Sequence, residues 1–234
     1  MENSSVPREQ VARFYERHHS GKRKYDHVFG DDERRDTLIH FVGRGGRVLD
    51  IGCRSGSLTK CYIEDNDVVG VDVDRDALKL FRERLGLEAH WLDIDRDPLP
   101  FPDSSFDVVV CTEVLEHLRF PATALAEIRR VLRPTGRLVG SVPNATRLRN
   151  RWRFLTGTLH EDPTHLRMYS PDTLRDELAA VCQTIDILPV SGHVFGGGKH
   201  GVPVFHWLPG GFRRLMCENL IFVCSGWRGS GDKS

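Results

Sequence analysis

The sequence has 234 residues, of which 39% are hydrophobic and 28% charged, and it carries 33 basic and 33 acidic side chains. This composition is typical of a globular protein and excludes an intrinsically disordered chain. The zero net charge excludes a global attraction to nucleic acid or to anionic membranes, so such a partner would require a local patch.

The sequence shows no evident membrane span, signal peptide or disulfide framework. No apolar run approaches the roughly 20 residues that span a bilayer. The polar segment 1–10 lacks the apolar core of a signal peptide, so we expect a cytoplasmic protein. The six cysteines are scattered without a Cys-x-x-Cys spacing, which predicts reduced, partly buried thiols.

Two segments before Gly43 have the periodicity of helices. The first carries Val11, Phe14 and Tyr15, and the second begins at Asp31-Asp32 and places Leu38, Ile39 and Val42 on one face.

After Gly43, short apolar runs alternate with amphipathic segments. The predicted strands are 47–51, 68–73, 90–94, 107–111, 137–142, 184–190 and 220–224. The predicted helices are one from about Ser57, then 76–85, then 122–133 (stopped by a turn at 134–136), and one with Ser170 as N-cap and Pro171 in first position. This alternation predicts a doubly wound, mostly parallel α/β sheet. Ligands bind such sheets at the carboxyl ends of the strands.

The first strand ends at Asp50-Ile51 and leads into the glycine turn Gly52-Cys53-Arg54-Ser55-Gly56. Glycine lets a ligand approach the backbone closely. A carboxylate before the turn suits the ammonium group of the methionine part of S-adenosylmethionine better than a pyrophosphate. The dinucleotide spacing G-x-G-x-x-G also fails here. A purely structural turn is the alternative.

Acids follow the next two predicted strands. Asp72 ends the second strand, where it suits the two hydroxyls of a ribose, although it could instead cap the following helix. Asp93 follows the third strand and could accept from an adenine amino group, with the next N–H donating to the ring. Asp95 is the alternate, and a solvated acidic loop is the other interpretation.

A longer ordered set of motifs follows in 100–136. It comprises Pro-Phe-Pro-Asp at 100–103, Phe106-Asp107, Glu-Val-Leu-Glu-His at 113–117 and Arg-Arg-Val-Leu-Arg-Pro-Thr-Gly at 129–136. With the glycine turn and the two acids, residues 45–145 resemble the class I S-adenosylmethionine-dependent methyltransferases, in the methyltransferase-11-like group that includes the ubiquinone-type enzymes. The resemblance implies a Rossmann-like seven-stranded sheet with an antiparallel C-terminal hairpin.

The resemblance also implies where S-adenosylmethionine, the expected cofactor, would lie. Asp50, Gly52, Cys53 and Gly56 would surround its methionine part, Asp72 and Val73 its ribose, Asp93 and Ile94 its adenine, and Thr112 its sulfonium side. One position departs from the family, because Arg54 stands where a glycine is usual. If that backbone needs a positive φ, the arginine costs on the order of 1 kcal/mol. Alternatively its guanidinium pairs with the cofactor carboxylate.

An arginine-rich segment follows the fifth strand. Helical spacing makes Arg147 and Arg151, and likewise Arg149 and Arg153, neighbours on one surface. The segment is either an amphipathic helix with a solvated basic face or part of an insert that covers the active site and contacts an anionic substrate.

Histidines supply the candidate catalytic groups. The His-Leu-Arg-Met-Tyr-Ser run at 165–170 resembles a segment that borders the substrate pocket in bacterial members of the group. His165 and His117 are the candidate general bases for a hydroxyl or amine acceptor, and a packing role is the alternative for His117. His160, Glu161, Asp162 and His165 are potential metal ligands, but such loop clusters are common and no metal site is predicted.

We therefore expect one methyltransferase domain over 1–225, with N-terminal helices in 1–43, a substrate-side insert in 144–170 and a flexible tail in 226–234. The glycine-rich segment 196–200 is expected to be a mobile loop.

The predicted methyl acceptor is a small molecule or glycoconjugate, and anionic acceptors are included. The alternatives are a cofactor-binding protein without transferase activity, an enzyme of the same fold with a different reaction, and an RNA-modifying enzyme that uses the helix of Arg147–Arg153. The absence of an Asn-Pro-Pro-Tyr motif argues against a nucleic-acid base amine as acceptor.

Overall fold

The computed structural model describes residues 9, 10, 13, 32–157, 162, 164–190 and 210–228. The predicted helix of Val11, Phe14 and Tyr15 and the glycine-rich loop 196–200 lie outside these residues.

The strands are β1 Arg47–Ile51, β2 Asp67–Asp72, β3 Ala89–Trp91, β4 Phe106–Thr112, β5 Leu132–Pro143, β6 Cys182–Val190 and β7 Asn219–Trp227. The helices are α1 Asp32–Val42, α2 Arg75–Leu85, α3 Pro121–Val131, α4 Leu148–Leu155, α5 Pro171–Ala179 and α6 Gly210–Met216, with short 3₁₀ helices at Thr59–Cys61 and Leu115–His117.

The strands form one seven-stranded sheet in the order β3-β2-β1-β4-β5-β7-β6. Strands β1 to β5 pair in parallel, whereas β7 is antiparallel to both β5 and β6. The predicted doubly wound sheet with an antiparallel C-terminal hairpin is confirmed. Because the strand order reverses at β1, the switch point that favours ligand binding lies at the carboxyl ends of β1 and β4, beside β2.

Helices cover both faces of the sheet. On one face, Leu125 of α3 and Leu174 of α5 belong to the largest hydrophobic cluster, which also contains Leu49 of β1. On the other face, α1 packs through Leu38 and Val42. Apolar burial on two faces explains why β1 and β4 read as continuous hydrophobic runs. It also leaves the strand ends as the place for polar side chains.

The helix predicted from about Ser57 is wrong, since only the 3₁₀ helix Thr59–Cys61 lies between β1 and β2. Polar side chains in this connection bond to partners outside a helix. Asn66 donates to the carbonyls of Gly43 and Tyr62, and Thr59 donates to Asp50. Such side-chain bonds compete with helical ones, and the segment folds as a series of turns.

The third strand is shorter than predicted and ends at Trp91. Beyond it the chain forms a turn in which the amides of Arg96 and Asp97 donate to the carbonyl of Asp93 at 2.9 and 2.8 Å. Within this turn the Asp93 side chain accepts from the amide of Asp95, a bond that aspartate often makes in turns. Asp93 therefore lies in a loop and not at the strand's end.

The predicted turn at 134–136 is also wrong, because these residues belong to β5. The strand starts directly after α3, and its pairing with β4 shifts register between Phe106 and Val108. Gly136 fits at this irregularity because a Cβ there would lie 3.0 Å from the carbonyl oxygens of Arg133 and Asp107. A proline and a glycine thus mark a bulged strand here, which is one of the few places where a sheet accepts them.

Details nearer the C-terminus are partly confirmed. Ser170 caps α5 by accepting from the amide of Thr173 at 3.1 Å, and Pro171 is the first helical residue, as predicted. Strand β7 runs to Trp227, two residues into the segment predicted as a tail, and its indole donates to the carbonyl of Gly136.

The structure also bears on the cysteines and on membrane-spanning helices. All six cysteines are free in this structure, and all but Cys61 are buried. Within the described ranges, no helix has the length and apolar character needed to cross a membrane.

Candidate active site

The glycine turn follows β1 at the carboxyl edge of the sheet. Gly52 and Gly56 adopt φ values of +74° and +78°, and a Cβ on either would overlap the side chain of Val114 or Leu85 respectively. The amides of Gly52 and Cys53 donate to the carbonyl of Val71 at 2.9 and 3.3 Å, which fixes the turn to β2. Both glycines are therefore required by backbone conformation and by space.

Asp50 lies inside the fold just before this turn. Its Oδ2 accepts from the hydroxyls of Thr59 and Tyr62, each at 2.6 Å. Burial raises the pKa of the Asp50 carboxyl to about 6, although the two hydroxyl bonds oppose that shift. Sequence reasoning missed the two hydroxyl partners, because the segment that carries them was predicted to be a regular helix.

Asp72 joins the turn to the end of β2. Its Oδ2 accepts from the amide of Arg54 and its Oδ1 from the amide of Asp74, both at 2.8 Å. A carboxylate offers about four acceptor positions, so it can accept from several donors at once. Arg54 has a φ of +49°, which confirms that this position uses the backbone region favoured by glycine. The neighbouring Val73 is half-buried, and its carbonyl accepts from the indole of Trp91.

The two acids after β3 have different surroundings. Asp93 is buried, lies 3.5 Å from Arg96, and has a pKa that burial raises above its ordinary value. Asp95 accepts from the amides of Arg119 and Phe120 at 2.9 and 2.8 Å, so it holds the start of α3. Of the two candidates, Asp95 thus has a structural task, and the buried Asp93 is followed by the buried Ile94.

An ion pair between Glu113 and Arg34 lies at the end of β4, and the sequence analysis did not identify Arg34. After Thr112, Glu113 adopts a φ of +54°, and its Oε1 accepts from the Arg34 guanidinium at 3.0 Å and from the Ser141 hydroxyl at 2.9 Å. Arg34 is only 4% exposed and also donates to Ser141 at 2.7 Å. Its one signal in the sequence is its position, four residues before the buried Leu38 on the same face of α1.

Glu116 and His117 lie in the 3₁₀ helix that follows β4, and His165 lies beside them. Glu116 is 1% exposed, and neither carboxylate oxygen has a hydrogen-bond partner among the described residues. Burial raises the pKa of Glu116 well above its ordinary value. Burial also lowers the pKa of His117 to about 4, although a bond to the carbonyl of Thr164 opposes that shift.

The segment that carries His165 is docked on the same 3₁₀ helix. The amides of Leu166 and Arg167 donate to the carbonyl of Glu116 at 2.8 and 3.0 Å. Nδ1 of His117 lies 3.0 Å from the carbonyl oxygen of Thr164, and the two imidazole rings meet edge to face at 4.8 Å between centroids. The two histidines predicted as catalytic are thus neighbours. His160 and Glu161, considered as metal ligands, lie outside the described residues.

The arginine-rich segment is helical, as its spacing predicted. Arg147 is the N-cap of α4 and pairs with Glu218 at 3.2 Å, and no residue of α4 is buried. Trp152 is 68% exposed and Leu155 81%. The helix presents basic and apolar side chains together, so a solvated basic face and an insert over the active site both remain predictions for this segment.

Comparison with known proteins agrees with this geometry. Residues 49–140 match the family model described as a methyltransferase domain. The ubiquinone/menaquinone biosynthesis C-methyltransferase UbiE of Burkholderia mallei is 38% identical over 105 residues, which are 42% of this chain and 43% of that protein. The chain therefore matches less than half the length of these curated relatives. The resemblance predicted from the motifs at 45–145 is confirmed for the domain.

Solved structures extend the likeness in fold to most of the chain. A S-adenosylmethionine-dependent methyltransferase from Archaeoglobus fulgidus superposes with a TM-score of 0.63 at 18% identity, covering 92% of this chain and 98% of that one. The [4+2]-cyclase SpnF superposes equally well, with a TM-score of 0.63 at 17% identity, covering 95% and 98%. At such identities the fold is shared, while the reaction is decided by the site.

Proposed function

We propose that this chain, which carries a class I methyltransferase domain, uses S-adenosylmethionine to methylate a hydroxyl or amine group of a small molecule or glycoconjugate. The observation that carries the proposal is the bond between the amide of Arg54 and Oδ2 of Asp72. It joins a turn that requires two glycines to an acid that ends the neighbouring strand. These are the two parts that a nucleoside with a charged side arm needs close together.

The residues present fit this cofactor. The glycine turn offers close backbone approach, since side chains at Gly52 and Gly56 are excluded by space. The Asp72 carboxylate ends the second strand beside the glycine turn, where an acid suits the two hydroxyls of a ribose. In the proposal, Asp50, Gly52, Cys53 and Gly56 hold the methionine part, Asp72 and Val73 the ribose, Asp93 and Ile94 the adenine, and Thr112 flanks the sulfonium.

When bound, S-adenosylmethionine supplies an electrophilic methyl group, which leaves the sulfonium as the electron pair of the carbon–sulfur bond stays on sulfur. The chain's own contribution is to hold the acceptor in line, since positioning provides much of the acceleration in a displacement of this kind. His117 follows β4 and His165 lies beside it, and we propose that both face the acceptor and are candidate general bases for its nucleophilic group.

The candidate acceptors follow from α4 and from the relatives. The family-model match ends at residue 140, before α4 and before His165, so the named carbon-methylating activity of UbiE does not carry its acceptor to this chain. The arginines of α4 favour an anionic acceptor, because guanidinium forks bind carboxylate and phosphate well. A carbon acceptor is the second candidate, favoured by the 38% identity to UbiE.

Titration calorimetry with S-adenosylmethionine and S-adenosylhomocysteine tests the proposal first. We expect micromolar binding of both, at least tenfold weaker binding by Asp72→Asn, and unchanged binding by Asp67→Asn. Asp67 starts the same strand at its opposite end, is exposed, and therefore controls for charge and strand. Failure of the wild-type protein to bind either ligand would overturn the proposal.

The reaction is then tested with labelled methyl donor and a panel of acceptors. Label transferred to a hydroxyl, amine or carbon acceptor identifies the acceptor class. Binding without transfer to any acceptor would favour a cofactor-binding protein or another reaction on this fold. Binding of tRNA that falls steeply with salt, together with label in the RNA, would favour the RNA-modifying alternative.

A further inference from the structure

Glu116 is a buried carboxyl group beside the end of β4. It is 1% exposed, and both of its oxygens lack a hydrogen-bond partner in the part of the chain that the structure describes. Buried polar groups are almost always hydrogen-bonded or bound to an ion, because removing them from water is costly. A carboxyl group in this position therefore points to a ligand that the described part of the chain does not provide.

The imidazole of His117 lies next to this carboxyl. Its Nδ1 lies 3.0 Å from the carbonyl oxygen of Thr164, which can only accept, so Nδ1 carries the hydrogen and Nε2 carries the lone pair. Nε2 lies 3.9 Å from Oε1 of Glu116. A histidine whose other nitrogen donates to a backbone carbonyl is the usual arrangement of a metal-bound imidazole.

His165 completes a group of three. One donor atom from each of Glu116, His117 and His165 lies within 4.8 Å of the other two. Ligand atoms stand about 2.0–2.2 Å from a bound Zn²⁺, so a small inward adjustment of these side chains would bring all three into contact with one ion. The backbones are already fixed, because the amides of Leu166 and Arg167 donate to the carbonyl of Glu116.

We propose that Glu116, His117 and His165 form a mononuclear site for a divalent first-row transition ion such as Zn²⁺ or Mn²⁺. Two imidazoles and one carboxylate favour these ions over Mg²⁺ and Ca²⁺, which prefer oxygen ligands alone. Three protein ligands leave coordination positions open. This proposal differs from the expectation from the sequence, which included no metal site.

The role of the ion rests on the proposed methyl transfer, whereas its binding does not. The open positions suit an acceptor with two adjacent oxygens, such as a diol or a hydroxyl beside a carbonyl. A hydroxyl bound to the ion releases its proton to water more readily, which makes its oxygen a better nucleophile. Under this proposal the two histidines act as ligands that position the acceptor and do not themselves take its proton.

Titration of the chelator-treated protein with Co²⁺, followed by visible absorption, tests the site without any methyl acceptor. We expect one equivalent to bind and to be displaced by Zn²⁺. Glu116→Gln and His165→Gln should each weaken binding at least tenfold. His40→Gln controls for the loss of a histidine, because His40 is exposed on α1, and it should bind like the wild type.

S-adenosylhomocysteine titration of the same proteins separates this proposal from the proposed function. We expect Glu116→Gln and His165→Gln to bind S-adenosylhomocysteine within about twofold of the wild type, which also shows that they fold. Stoichiometric Co²⁺ binding that both variants retain, or its absence in the wild type, overturns the metal site whatever the cofactor result. Metal binding without cofactor binding overturns the methyltransferase proposal alone.

Discussion

The amide of Arg54 donates to Oδ2 of Asp72 at 2.8 Å, across the gap between the turn after β1 and the end of β2. The bond uses the backbone of Arg54, so it survives any substitution of that side chain other than proline. It also explains how a non-glycine residue is held at a φ of +49°, since the surrounding structure determines the backbone there. The turn and the acid therefore form one unit, and a change in either should be felt by the other.

Gly52→Ala should destabilise the fold more than its backbone conformation alone requires. The added Cβ would overlap Val114, and the φ of +74° is unfavourable for alanine, so we expect a loss of roughly 2–4 kcal/mol of unfolding free energy. Gly45 has the same φ, but a Cβ there would meet no atom within 4 Å, so Gly45→Ala should lose about 1 kcal/mol. Denaturant unfolding of both variants measures the difference, and equal losses would contradict the close packing at Gly52.

Arg54→Gly should be more stable than Arg54→Ala by about 1 kcal/mol, because only glycine relieves the positive φ. Both variants remove the guanidinium and keep the amide that binds Asp72. Equal stability in urea unfolding would show that the backbone is unstrained. Cofactor titration of the same pair then distinguishes the two roles of the side chain. Weaker cofactor binding by both variants would show that the guanidinium is a ligand. Tighter binding by Arg54→Gly would show that arginine at this position is a tolerated defect.

Asp50 should make stability depend on pH between about 4 and 6. Burial raises the pKa of its carboxyl to about 6 in the folded state, above the ordinary 3.8, so folding favours the protonated form. That contribution is present below pH 4 and is lost as the pH rises to 6, by about 3 kcal/mol in total. Asp50→Asn keeps an acceptor for Thr59 and Tyr62 but cannot ionise.

The measurement is the difference in unfolding free energy between Asp50→Asn and the wild type at several pH values. Other titrating groups are common to both proteins and cancel in this difference. We expect the variant to gain on the wild type as the pH rises from 4 to 6 and the difference to level off above 7. A difference that stays constant with pH would mean that the carboxyl of Asp50 has an ordinary pKa.

Asp93 and Asp95 should separate into a ligand and a structural residue. Asp93→Ala should weaken S-adenosylhomocysteine binding about tenfold, as expected for the loss of a hydrogen bond from the adenine. Asp95→Ala should leave binding within about threefold but lower stability by about 1 kcal/mol, because it uncaps the amides of Arg119 and Phe120. Calorimetry and thermal unfolding of both variants check this, and the reverse pattern would exchange their roles.

The sequence alone predicted the fold class and several of the structural elements of this protein. The apolar runs of β1, β2 and β4, the capping of α5 by Ser170 and the glycine turn were all predicted, because each depends on local periodicity or on a local backbone requirement. The fold class followed from the alternation of these elements. The order of the motifs added the expected cofactor, since strands that run parallel bring their carboxyl ends to one edge.

Tertiary structure decided what depends on contacts between distant segments. The segment after Ser57 became a turn because Thr59 and Tyr62 bind Asp50. The proline and glycine after α3 became part of β5 because Leu132 and Arg137, on either side of them, pair with β4. The cluster of Glu116, His117 and His165 exists only because the amides of Leu166 and Arg167 dock on the carbonyl of Glu116. Sequence spacing carries no information about such docking, since burial and partner choice are fixed only when the elements pack.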